Sequence, residues 1–200
     1  MDIRELDVQD LRRLFGIVLQ DPFLFTGTLE TNVKLGTTTI NRAGTERALR
    51  EVGLGSFLDS QPEGVATPVT ERGATLSVGQ RQLVSFARAL AHDPKFLILD
   101  EATSSVDTKT ELMIREALDR LLKGRTAVVI AHRLSTIQHA DRILVFHKGR
   151  LREQGSHQEL LALHGIYYRL YQLQYKEQEF LAALPTGNAP GFSQPLPADD

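Results

Sequence analysis

Three short apolar runs punctuate the chain: residues 15–19 (FGIVL), 96–99 (FLIL) and 126–131 (TAVVIA). Runs of this length without polar alternation predict strands buried on both faces of a parallel sheet. Between the first two the period turns helical. Leu83, Val84, Ala87, Leu90 and Ala91 share one face, and Ser77 with Gln80 ahead of them forms a capping box. Residues 45–52 and 56–60 predict short helices, and residues 36–44 a loop. A capping box at Thr108 and Glu111 opens a helix carrying Leu112, Leu118, Leu121 and Leu122, and Gly124 follows its end. Beyond lie a strand (ILVF), a Lys148-Gly149 turn and a Ser156/Glu159 capping box. Residues 156–180 predict one or two amphipathic helices, whose Ile166, Tyr167, Leu170, Tyr171 and Tyr175 stripe reads as packing. From Leu184 the chain is rich in Pro, Gly and polar residues, which predicts a disordered tail.

Composition narrows the function classes. Two hundred residues suit one domain of ordinary size. A formal net charge of −2 gives no basic face for a nucleic-acid partner. The absence of cysteine excludes a disulfide framework and thiolate chemistry. The sequence shows no signal peptide and no run of ~18 apolar residues, so membrane attachment would have to come through a partner or a preceding segment.

Four places carry candidate chemistry, each with an ordinary alternative. The second apolar run ends in Asp100 and Glu101, at the sheet edge where α/β proteins bind ligands. Asp100 suits a Mg²⁺ ion and Glu101 a polarised water; a solvated acidic turn would look the same. Ser77 and Gly79 open a helix whose outward N–H groups suit an anion, or simply cap it. His132, after the third run, suits a phosphate or a satisfied polar site. Gln20, after the first, suits a metal-bound water or plain solvent.

The order LQDPFLF, TERGATLSVGQRQLVSFARAL, FLILDEATSSVD, VVIAHRLST resembles the nucleotide-binding domain of ABC transporters over roughly residues 1–175. The resemblance implies an α/β fold, a P-loop NTPase (RecA-like) core with an inserted helical subdomain. It implies ATP and Mg²⁺ as cofactors. Gln20 would sense Mg²⁺ and the attacking water, Asp100 would hold the metal, Glu101 would be the general base and His132 would clamp the γ-phosphate. Ser77 and Gly79, with Gln80 beside them, would serve a nucleotide held by a partner subunit, and Asp107 would cross the interface. TPVTERG (67–73) and HADRILVFHKGRLREQGSHQELL resemble exporter-type domains. Val78 stands where that signature commonly has glycine, and Thr70 where the exporter loop does.

The implied organisation is a core remnant at 1–22, a helical subdomain at 23–90, core again at 91–180 and a tail at 181–200. Partners would be a second ABC ATPase domain, in a homo- or heterodimer, and a transmembrane domain normally fused upstream. The chain would then lie at the cytoplasmic face of the membrane. No G-x-x-x-x-G-K-[ST] stretch occurs in the sequence, and residues 1–14 resemble the middle of a domain. The expectation is therefore a domain lacking its amino-terminal part and its phosphate cradle. Losing a buried strand and helix outweighs the ~5–15 kcal/mol of an ordinary domain, so the chain alone is expected to be unstable. The alternative to an exporter ATPase is an inactive truncated partner or gene remnant. A chromosome-maintenance ATPase would need long heptad insertions that this sequence lacks.

Overall fold

The structure, a computed structural model, describes residues 2–100, 108–131 and 137–183. It comprises two compact units, residues 1–132 and 133–200.

In the first unit α1 (Val8–Arg13) leads into β1 (Phe15–Val18). Then follow β2 (Gly27–Thr28), α2 (Leu29–Lys34), α3 (Arg42–Leu49), a π-helical turn (Arg50–Leu54), α4 (Gly55–Asp59) and β3 (Pro68–Val69). The unit continues through α5 (Val78–Ala91), β4 (Phe96–Asp100), α6 (Thr108–Leu122) and β5 (Thr126–Ile130). The order β1-β4-β5 makes a parallel three-stranded sheet, with Val18 level with Leu99 and Asp100 level with Ile130. One core joins the helices to one sheet face: Leu83, Val84 and Ala87 of α5, Leu29 and Val33 of α2, Leu49 of α3, Ile114 and Leu121 of α6, and Val18, Leu97 and Leu99 of the strands.

The three apolar runs are parallel strands, but they are not buried on both faces. Val128 is 63% exposed, Ile17 58%, Ile130 54% and Phe96 39%, whereas Leu97 is 1% exposed. The strands alternate, with α5 and α6 covering one face and no described residue covering the other. On that open face Phe15 stacks on Phe96 at 5.2 Å.

α3 begins at Arg42, not near Thr45, because the Asn41 side chain accepts from the Gly44 N–H at 2.8 Å and sets the first turn earlier. The loop predicted for residues 36–44 is shortened accordingly. A kink at Gly53, φ 90°, separates α3 from α4 within the turn between them.

In the second unit β6 (Ile143–His147) and β7 (Arg150–Gly155) pair as a hairpin, with Lys148 and Gly149 at φ 48° and 71°. Two positive φ values in a two-residue turn match the twist of the strands. α7 (His157–Ala162) carries the expected Ser156/Glu159 box, and α8 (Ile166–Ala183) follows. The Glu153 carboxylate accepts from the Ile166 and Tyr167 N–H groups at 2.6 and 3.0 Å and caps α8 from β7. The stripe packs chiefly at its start: Tyr167 is buried and Tyr171 lies beside the His157 ring at 5.5 Å, while Leu170 and Tyr175 are half or more exposed. The predicted tail lies outside the described residues.

Candidate functional site

The start of α5 is built locally. Ser77 takes the extended N-cap conformation, and its Oγ accepts from the Gln80 N–H at 3.1 Å. The Gln80 Oε1 accepts from the Ser77 N–H at 2.9 Å, closing the capping box. Ser77 is exposed, and its hydroxyl proton remains free to donate. The N–H groups of Val78 and Gly79, the first two of the helix, have no partner within it.

Gly79 itself is buried, although it lies at the open start of the helix. A Cβ there would lie 2.0 Å from Thr110 Cγ2. Glycine is required because α5 and α6 touch at this point, and it still leaves its N–H at the helix end. Val78 is 52% exposed, so valine replaces the middle glycine without a steric cost.

The carboxyl edge of the parallel sheet carries the second group. β1 and β4 run side by side, so Gln20, two residues past Val18, and Asp100, the last residue of β4, leave the same edge on adjacent strands. Gln20 is exposed and Asp100 half-buried. Asp100 takes no ion pair or hydrogen bond among the described residues. No cluster of three or more metal-ligating side chains occurs among those residues. One carboxylate and one amide oxygen form a hard, incomplete set, which fits Mg²⁺, an ion that keeps waters and takes the rest of its shell from phosphates. The free hydroxyl and N–H groups at the start of α5 fit a phosphate in the same way. Glu101, Asp107 and His132 lie outside the described residues. Thus Ser77, Gly79 and Gln80 meet at one helix end, Gln20 and Asp100 at one sheet edge, and no described hydrogen bond joins the groups.

The exporter-like loop is tied to the segment after Gln20. β2 pairs with β3, Gly27 with Val69, and the Leu29 N–H donates to the Thr67 carbonyl at 3.1 Å. Thr70 is extended, φ −77° and ψ 174°, a conformation open to any residue, so its departure from glycine is accommodated. Sequence reasoning passed over Arg88 and Asn32. The available signal was a lone cation within the apolar stretch of residues 83–91.

Among known proteins, a family model described as ABC transporter matches residues 1–104. The chain is 52% identical over 180 residues to a probable multidrug resistance ABC transporter ATP-binding/permease protein, YheH, of Bacillus subtilis. That match covers 90% of this chain and 27% of the relative. It is 48% identical over 178 residues to an ATP-dependent lipid A-core flippase of Syntrophus aciditrophicus, covering 89% and 30%. A bacterial Atm1-family ABC exporter solved with ATP bound superposes with a TM-score of 0.77 and 41% identity, over 87% of this chain and 30% of that one. The chain thus spans less than a third of the length of these relatives. The chain belongs to the ABC transporter family, and its fold is that of the ATP-binding portion of an exporter.

Proposed function

We propose that the chain is part of the ATP-hydrolysing domain of an exporter and contributes to two different ATP sites. One observation carries this reading: β1 and β4 bring Gln20 and Asp100 to the same sheet edge, where Asp100 has no other partner among the described residues. There Asp100, with Gln20, would hold Mg²⁺, which when bound offsets the charge of the phosphate oxygens. Glu101, the next residue along, takes the proton from the attacking water, and His132 holds the γ-phosphate.

At the other site the Ser77 hydroxyl and the Val78 and Gly79 N–H groups donate to the γ-phosphate of a nucleotide held by a second ATPase domain. Gln80 fixes the Ser77 rotamer from behind, and Asp107 reaches across the interface. Closure of the two domains would drive a transmembrane portion; no described helix is long and apolar enough to cross a membrane.

Steady-state ATP hydrolysis by the native assembly tests this reading. Asp100→Asn, Glu101→Gln and Ser77→Ala should each lower kcat by about 10²-fold or more. Full activity in all three variants would contradict it.

A further inference from the structure

The far half of α5 is as specifically built as its start. Arg88 donates from Nε to the Asn32 carbonyl at 2.9 Å and from Nη2 to the Phe23 carbonyl at 3.2 Å. One turn on, the His92 Nε2 meets the Val33 carbonyl at 3.2 Å; a carbonyl only accepts, so the ring proton sits on Nε2. Arg88 and His92 thus grip the last turn of α2, where the helix dipole favours a cation. Asn32 is fully buried and extends the network. Its Oδ1 accepts from the Phe25 N–H at 2.8 Å, and its Nδ2 donates to the Phe25 and Thr28 carbonyls at 2.8 and 3.0 Å.

Arg88 has no carboxylate partner among the described residues, and burial holds its pKa below the ordinary value. A half-buried guanidinium kept on main-chain carbonyls alone costs desolvation and returns no ion-pair energy. Its two arms bridge pieces of chain 56 and 65 residues away in sequence. One of them, Phe23, lies three residues past Gln20. The other end of the same helix carries Ser77.

We propose that Arg88 is a positioning residue that couples the nucleotide-facing start of α5 to the segment leaving Gln20, so that a shift at Ser77 is passed to residues 23–34. The inference rests on the ATP reading of Ser77 given above. A two-armed donor is needed for this. Lysine would keep the charge but could not hold both carbonyls in a fixed plane.

Hydrogen exchange of the native assembly, with and without Mg·ATP, tests it in the parent, Arg88→Lys and Arg88→Met. Without nucleotide, Arg88→Met should raise exchange of the Phe25 amide about tenfold, with Arg88→Lys between it and the parent. With Mg·ATP, the parent should gain protection at residues 76–80 and also at residues 23–34. Arg88→Met should keep the first gain and lose the second, a pattern that a merely packing role would not produce. Equal gains at both segments in Arg88→Met, or a parent protected at 76–80 alone, would overturn the coupling. A parent with no gain at 76–80 would instead overturn the ATP reading and the coupling with it. Because Arg88→Lys keeps the cationic stem, it supplies the same comparison if Arg88→Met does not fold.

Discussion

The helices around α5 and the three-stranded sheet use the same apolar residue types, yet they stand on different terms. In the helical part Leu29, Leu49 and Val84 are fully buried and Leu83 is 1% exposed. On the sheet, one face is equally closed while the other presents Phe15, Ile17, Phe96, Val128 and Ile130 without a described cover. A parallel sheet is ordinarily covered on both faces. The helical part therefore holds its own shape, while the sheet that carries Gln20 and Asp100 is held from one side.

The sharpest way to break this comparison is a pair of truncations. Leu83→Ala should cost about 2–5 kcal/mol in urea unfolding of the chain. Val128→Ala, on the open face, should stay within about 0.5 kcal/mol of the parent. Equal costs would mean that the open face is packed in solution.

A smaller effect tests the seam between α5 and α6. Gly79→Ala should destabilise by about 1–3 kcal/mol, because the new methyl group meets Thr110 Cγ2. Adding Thr110→Ser, which removes that methyl and keeps the hydroxyl, should recover most of the loss. Without recovery, the glycine is required for another reason.

In the second unit, a Cβ at Gly165 would lie 2.2 Å from Glu153 Oε1. Gly165→Ala should push the carboxylate off the start of α8 and cost about 1 kcal/mol. Faster exchange confined to the Ile166 and Tyr167 amides would locate the effect.

The smallest effect is set by pH. Hydrogen bonds from Ser156 hold the Glu159 carboxyl below its ordinary value. A lowered carboxyl pKa gives stability that is present above the unfolded value and lost as pH falls through the folded one. Protection of the α7 amides, taken relative to their intrinsic exchange rates, should therefore fall as pH drops through the ordinary carboxyl range and below it, and Glu159→Gln should flatten that fall.

What the sequence disclosed follows the range of the forces involved. The boxes at Ser77/Gln80 and Ser156/Glu159 were legible because each is closed within one helical turn. The parallel strands were legible from their apolar runs. Their open face was not, because burial depends on what packs from elsewhere in the chain. The packing role of Gly79 was hidden for the same reason, its neighbour Thr110 being 31 residues on. The start of α3 was misplaced because Asn41 and Gly44 resemble loop residues until the cap bond is seen. The site was legible chiefly as a sequence of motifs. The structure adds the sheet edge shared by Gln20 and Asp100, while Glu101, Asp107 and His132 rest on the sequence.

The measurement that bears most directly on the ATPase assignment is the nucleotide retained by the native assembly after incubation with Mg·ATP. Glu101→Gln should retain unhydrolysed ATP, because binding survives when the base is removed, and Asp100→Asn should retain little. If Glu101→Gln releases ADP at the parent rate, Glu101 is not the base, and the chain's own contribution to hydrolysis fails with it.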